Sequence, residues 1–382
     1  MVQAPVGEGQ VMTARRLPLH AICPYFAMFP EDFVREQVET FSKERDWVFD
    51  PFCGRGTTVL ESLLLGRNAA GSDINPVAFC VSRAKAERPV LEDIQSRVDT
   101  LEESFVETDV ERWEKARASL PPFFRRAFYP TTLRELLFLR SELDWRTDRI
   151  ERFISALVLG SLHGEMDRSS AYFSNQMPRT ICLKPDYSLR YWKENGLFPK
   201  KRDVFAMLRQ KAEYRLQDVP DCPTGRVRLS DAREVAFRFR SLHDAVALVV
   251  TSPPYLNVTC YEEDQWLRLW FLGGDPRPTY GKVSKDDRHQ TSRNYWRFLK
   301  ESWAGLAPLM QRNARIVIRL GAIGIDEDEM TRQLKVSVRS AFPKARLLRP
   351  PARSEIVGRQ SMNFAPMSKG CLFETDYVFA TS

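Results

Sequence analysis

Ala247-Leu248-Val249-Val250-Thr251-Ser252-Pro253-Pro254-Tyr255-Leu256 is the stretch around which the rest of the chain is read. The aliphatic run Val246 to Val250 predicts a strand buried on both faces, as in a parallel sheet covered by helices. It stops at Thr251-Ser252-Pro253-Pro254-Tyr255. The two prolines donate no backbone N–H and fix their own φ, so the carbonyls there are stiffly aimed and cannot join a ladder. A rigid turn with free carbonyls, a hydroxyl and an aromatic ring, at the C-terminal end of a parallel strand, lies where open α/β sheets bind ligands. Such a turn suits a planar group that carries an NH2, with acceptors for its hydrogens and a ring for its face. On these residues alone, a strand ending in an ordinary proline-rich loop is an equal reading.

The chain has 382 residues, 43% of them hydrophobic. That suits two or three domains, or one large α/β unit with an insertion. No apolar run reaches the roughly 18 residues of a membrane span, and Met1 to His20 lacks the apolar core of a secretory signal. Seven cysteines, an odd number without a C-x-x-C pair, argue for a reducing compartment and against a zinc site. The expectation is a cytoplasmic protein with no metal. The net charge of +7 is local: between Arg332 and Arg359 eight basic residues face one acid, Glu355, and the remainder balances. A phosphate-contacting surface that includes Arg346, Arg349 and Arg353 accounts for this; a solvated basic helix face is the plainer reading.

Upstream, Asp46-Trp-Val-Phe-Asp50 reads as a short buried strand and Pro51-Phe-Cys-Gly-Arg-Gly-Thr-Thr58 as a tight glycine loop. Thr57 or Thr58 is placed to cap a helix from Val59 to Leu65. Asn68 to Ser72 reads as a second strand with Asp73 at its tip, followed by a helix from about Pro76 to Ala86. Strand, glycine loop, helix, strand and acid make a Rossmann-like half unit. No Gly-Lys-Ser/Thr follows the glycines, so this is no Walker A loop, and Val59 stands where a dinucleotide fingerprint has its third glycine. An acid at the second strand tip accepts hydrogen bonds from a ribose hydroxyl pair. A nucleoside cofactor follows, with a nicotinamide cofactor still open.

Three segments divide the sequence: 1–89, the cofactor half of an α/β domain; 90–223, a mostly helical insertion and candidate target-recognition region; and 224–382, the catalytic half. In the insertion Thr131 begins a capping-box-like signature, and His163 to Thr180 is a polar, aromatic stretch suited to a functional loop. The sheet resumes at Arg226-Val-Arg-Leu-Ser-Asp231, and further strands are expected at Ala314–Leu320, Ala345–Leu348 and Asp376–Ala380, with a helix at Glu327–Ala341. Tyr261 to Leu272 reads as one aromatic amphipathic helix.

Asp50-Pro-Phe-Cys-Gly-Arg-Gly-Thr-Thr58 taken with Thr251-Ser-Pro-Pro-Tyr255 resembles the DNA amino-methyltransferases, which methylate N4 of cytosine or N6 of adenine with S-adenosylmethionine. The resemblance spans residues 20–88 and 226–382 and omits most of the insertion. It implies a Rossmann-like methyltransferase sheet, α/β in class, carrying that helical insertion. It also implies that Asp50, Phe52, Gly54, Gly56 and Thr57 form the pocket for the cofactor's methionine part, that Asp73 holds its ribose and Asp231 its adenine amine. Phe29 and Pro30, in the cluster Pro24 to Pro30, resemble the motif that closes over the cofactor carboxylate. Ser230 stands where the family's third motif usually has glycine.

The same resemblance makes Ser252, Pro253, Pro254 and Tyr255 the catalytic turn. Ser252 and the Pro253 carbonyl would accept the two N–H bonds of the target amine, and in-line positioning would supply much of the rate. The substrate would be double-stranded DNA with its target base flipped out, at a cost of a few kcal/mol. Tyr255 stacking on that base would return roughly 1–3 kcal/mol. A ring-carbon methyltransferase needs a cysteine nucleophile after the proline, and here Tyr255 follows, so Cys53 is a packing residue. The Thr-Ser-Pro-Pro-Tyr form is closest to the cytosine-N4 members, with N6-adenine, RNA or protein amide methylation and a binding protein without turnover as rivals. A restriction-modification setting, with a cognate restriction or defence protein as partner, fits the family.

Overall fold

In the strand Val246–Thr251 all six residues are buried, and pleating sends neighbours to opposite sides. Leu248 and Val250 join a small core with Val34 and Val38, whereas Val249 joins a larger one with Phe239, Tyr295 and Trp303. The neighbouring strands split the same way: Val48, Val317 and Val378 to the first core, Phe49, Ile316, Ile318 and Phe379 to the second. A sheet lined by apolar residues on both faces must be covered on both, and that requirement sets the architecture. The computed structural model describes residues 17–25, 30–107, 109–164, 170–177, 184–256, 261–278, 291–321, 325–355 and 373–382.

Among these residues one sheet contains β1 (Trp47–Asp50), β2 (Asn68–Asp73), β3 (Arg226–Leu229), β4 (Val246–Thr251), β5 (Met310–Leu320), β6 (Arg346–Leu347), β7 (Ala352–Glu355) and β8 (Phe373–Ala380). Its order is β3-β2-β1-β4-β5-β8-β6, with β7 also paired to β8. The first five strands are parallel, and β8 runs antiparallel to β5, β6 and β7. The chain order reverses between β1 and β4, which makes the space beyond their C-terminal ends the switch-point crevice of an open α/β sheet. This is the expected α/β fold with a Rossmann-like sheet. The strand β7 was not legible, because Pro350 and Pro351 precede it and Arg353 and Glu355 break any apolar alternation; such a strand suits a sheet edge.

Helix α1 (Glu31–Phe41) supplies Val34 and Val38 to the smaller core, and α2 (Thr57–Leu64) and α3 (Pro76–Ala86) flank β2. Neither expected threonine caps α2. Its N-cap is Gly56, at φ 77°, with no side-chain cap; Thr58 Oγ1 instead donates to the Val250 carbonyl at 3.0 Å. Thr131 is not a cap either: the helix Pro130–Glu142 starts on its proline, without a side-chain cap, where the missing N–H costs nothing. The stretch from Tyr261 is two short helices, Tyr261–Asp264 and Trp266–Phe271, broken at Gln265.

Between residues 90 and 223 the described elements are mostly helices, from Leu91–Glu107 to Val204–Leu216. Their apolar faces do not close on themselves. Phe124, Leu136, Phe153 and Leu157 share one core with Leu60 and Leu63 of α2 and Val77 and Val81 of α3. Of the stretch 163–180, residues 165–169 and 178–180 lie outside the described residues; its His163 Nδ1 lies 2.8 Å from Ser174 Oγ. Among the described residues no helix is long and apolar enough to cross a membrane.

Candidate functional site

The tips of β1 and β4 meet through side chains. Asp50 ends β1, 1% exposed, and its Oδ1 accepts from the Phe52 N–H at 3.0 Å and from Thr251 Oγ1 at 2.6 Å. Burial pushes its carboxyl up to about 7, against the pull of these donors. Phe52, at the head of the glycine loop, sets its ring edge-on against Phe298, 5.7 Å away.

The two glycines of the loop do different work. Gly54 has φ 48°, a left-handed conformation that favours glycine, and a Cβ there would touch Tyr25 Cε1 at 3.6 Å and the Phe52 carbonyl at 3.9 Å. At Gly56, a Cβ would lie 2.7 Å from Ser82 Cβ. Gly56 therefore lets α3 pack against the loop rather than admitting a ligand. Close packing of helix on strand, the third glycine's usual task, falls to Gly71 on β2. A Cβ there would stand 3.0 Å from the Asp50 carbonyl and 3.1 Å from Val59 Cγ2.

Asp73 ends β2 and is held from two sides: Oδ2 accepts from the Gly54 N–H and Oδ1 from the Asn75 N–H, each at 2.9 Å. Burial raises its carboxyl to about 6. Asn75 Nδ2 donates to Tyr25 Oη at 3.1 Å, so glycine loop, strand tip and N-terminal segment form one wall. The Ser230 N–H donates to the Asp73 carbonyl at 3.0 Å, which brings the end of β3 alongside.

Asp231 is brought near but is engaged. Its Oδ1 accepts from the N–H and Nε of Arg233, each at 2.9 Å, and its Oδ2 from Arg233 Nη2 at 2.8 Å. Thr57 is also turned elsewhere: buried, its Oγ1 accepts from Arg55 Nε at 3.2 Å. Pro30 is exposed at the N-cap of α1, and Phe29 lies outside the described residues. Arg55 was missed by the sequence reading. Buried in the glycine loop, it donates to Glu31 Oε1 at 2.7 Å and to the His20 carbonyl at 3.3 Å, tying the loop to the N-terminal segment.

Beyond β4, Pro253 is buried and Ser252 and Pro254 are half-buried. Tyr255 is only 6% exposed and packs in the core with Phe49, Tyr295 and Trp296, rather than presenting a free ring. Its Oη donates to Glu374 Oε1 at 2.7 Å, and Ser252 Oγ lies 3.3 Å from the same Oη.

The three arginines do not form one patch. Arg346 pairs with Ala380, at the end of β8 beside Arg315, whereas Arg353 pairs with Thr375, beside Leu320 at the crevice end. The five residue steps of strand from Thr375 to Ala380 put these positions about 17 Å apart. Arg349 donates to Gln37 at 3.2 Å, and Arg353 covers the Phe373 ring and reaches Glu327 at 3.6 Å.

A parallel sheet with one antiparallel closing strand, a glycine loop after β1 and an acid at the tip of β2 define the fold class of the Rossmann-like S-adenosylmethionine-dependent methyltransferases. The residues present fit that cofactor: Gly54 makes the left-handed turn of the loop and donates its N–H to Asp73, which is fixed at the tip of β2, where a ribose would lie. Within that class, a family model described as DNA methylase, of the N6/N4 methyltransferases, matches residues 12–82, which supports the DNA amino-methyltransferase family. No curated protein matches the chain. Among solved structures, TrmN from Thermus thermophilus aligns at 11% identity and TM-score 0.38, covering 96% of this chain and 52% of its own. This chain thus spans about half of TrmN. The rRNA methyltransferase aviRa from Streptomyces viridochromogenes aligns at 10% identity and TM-score 0.34, over 94% of this chain and 88% of its own. Such low scores say nothing of substrate.

Proposed function

We propose that the protein transfers a methyl group from S-adenosylmethionine to an exocyclic base amine in duplex DNA, with N4 of cytosine as the target. The observation that carries this reading is the Thr251–Asp50 hydrogen bond of 2.6 Å, which holds the Ser252-Pro253-Pro254-Tyr255 turn against the glycine loop. Asp50, Phe52 and Gly54 would hold the methionine part of the cofactor and Asp73 its ribose; the cofactor supplies an electrophilic methyl. Asp231 would approach the adenine only by sharing its carboxylate with Arg233, and Gly56 and Thr57 act through the shape of the loop.

An aromatic exocyclic amine is a weak nucleophile because its lone pair is delocalised into the ring. Ser252 Oγ and the Pro253 carbonyl accept its two N–H bonds and favour a pyramidal nitrogen. Holding it in line is the main rate contribution asked of this turn. The serine hydroxyl is shorter than a carboxylate or amide side chain and leaves more room, which favours cytosine. We assign DNA contact to the helical segment 90–223 and to Arg353 at the crevice end of the sheet. Calorimetry and a methyl-transfer assay on Ser252→Ala test the reading together: cofactor binding should persist while transfer is lost. A variant that instead loses the cofactor and keeps its fold would move the turn from the chemistry to the cofactor pocket.

A further inference from the structure

A hydroxyl is an ambiguous partner for an amine that must attack through its lone pair. It carries one hydrogen as well as two lone pairs. Were the Ser252 hydrogen to point at the amine nitrogen, it would occupy the electron pair the reaction needs. A carboxylate or amide oxygen has no hydrogen and avoids the difficulty.

The strand β8 resolves it. Tyr255 Oη donates to Glu374 Oε1 at 2.7 Å, so the only phenolic hydrogen is committed to a group that only accepts. Burial and the nearby Glu374 carboxylate push the phenol well above its ordinary value, so it keeps that hydrogen. The contact between Ser252 Oγ and Tyr255 Oη, at 3.3 Å, therefore uses the serine's hydrogen. Glu374 is itself fixed in a charged frame. Arg319 lies 3.7 Å from its Oε2, binds Asp376 at 2.6 and 2.8 Å, and rests on the Phe33 ring at 3.8 Å.

Building on the function proposed above, we propose that Glu374 is a positioning residue: acting through Tyr255, it draws the Ser252 hydrogen away from the crevice and leaves only lone pairs facing the target amine. The side chains form a one-way chain, Ser252 to Tyr255 to Glu374, that turns an ambivalent hydroxyl into an acceptor. Glu374 does not touch the substrate.

The test is a pair of comparisons on the full chain, with duplex DNA and S-adenosylmethionine. Glu374→Ala should lower kcat about tenfold, the worth of one hydrogen bond, with the KM for the cofactor and the melting temperature little changed. Tyr255→Phe, which keeps the ring in its core position, should do the same. In a Ser252→Asn background, whose amide oxygen has no hydrogen to place, Glu374→Ala should cost less than about twofold. Equal losses in both backgrounds would overturn the proposal, because a merely structural role does not depend on residue 252. So would inactivity of both Ser252→Asn and Ser252→Asp with Glu374 intact. A wild-type chain that methylates no DNA overturns the functional reading and this proposal together; a wild-type chain that methylates DNA, with equal losses in both backgrounds, overturns this proposal alone.

Discussion

Thr251 Oγ1 donates to Asp50 Oδ1 at 2.6 Å, joining the tips of the two central strands across 201 residues of sequence. Each residue opens one of the two motifs that point to function, so this bond ties their starts together. Asp50 also receives the Phe52 N–H, which fixes where the glycine loop leaves the strand. The glycine loop and the turn after β4 are thereby tied to one carboxylate.

Thr251→Val keeps the side-chain shape and deletes the donor. At pH 8, with Asp50 ionised, the variant should lose roughly 1.5–3 kcal/mol, the range for a hydrogen bond to a charged group. Denaturant unfolding measures it. Undiminished stability would mean that the strands are held together by their ladder alone.

Asp50 also predicts a pH dependence. Its folded value near 7 stands above the ordinary 3.8, so between about pH 4 and pH 7 the native state holds a proton that the unfolded chain has lost. Stability from this group is full below about pH 4 and drains away as pH rises through 7. Asp73, raised to about 6, acts in the same direction. Asp50→Asn should flatten the fall in melting temperature of the ligand-free protein over this window and weaken cofactor binding. A variant with the wild-type slope would exclude Asp50 as its source.

Asp73→Ala removes the carboxylate assigned to the ribose hydroxyls. Charge-assisted bonds of this kind are worth about 1.5–3 kcal/mol, so cofactor affinity should fall roughly tenfold to a hundredfold. Calorimetry on a variant with normal circular dichroism decides it; unchanged affinity removes Asp73 from the site.

Arg353 and Arg346 separate two readings of the basic segment. Arg353 lies at the crevice end of β8 and Arg346 at the other. Arg353→Gln should reduce the salt slope of DNA binding by about 0.9, one phosphate contact, and Arg346→Gln should leave it unchanged. Equal effects would require a surface wrapping the whole edge.

The central strands and glycine loop were legible because they are local patterns: an aliphatic run before two prolines, and two glycines followed by an acid-tipped strand. Much of what escaped notice depends on partners far along the chain, and the rest on side-chain geometry that residue order does not show. Val59 in place of a third glycine looked like a departure, but the close approach is made by Gly71 on the facing strand. Glu374 sits 119 residues from Tyr255, and nothing near it in sequence marks it. The Asp231–Arg233 pair lies two residues apart in plain view, yet only its three-bond geometry shows that the carboxylate is engaged. Neither Thr57 nor Thr58 caps its helix because their hydroxyls are used elsewhere, one by Arg55 within the loop and the other by the distant Val250 carbonyl.

Identifying the methylated nucleoside tests the central claim most directly. Duplex DNA is incubated with the protein and S-adenosylmethionine carrying a labelled methyl group, digested to nucleosides and analysed by mass spectrometry. The account predicts label in N4-methyldeoxycytidine, lost in Ser252→Ala while cofactor binding persists. Label found only in N6-methyldeoxyadenosine would contradict the assignment of cytosine, and label absent from DNA but present in RNA or protein would contradict the account as a whole.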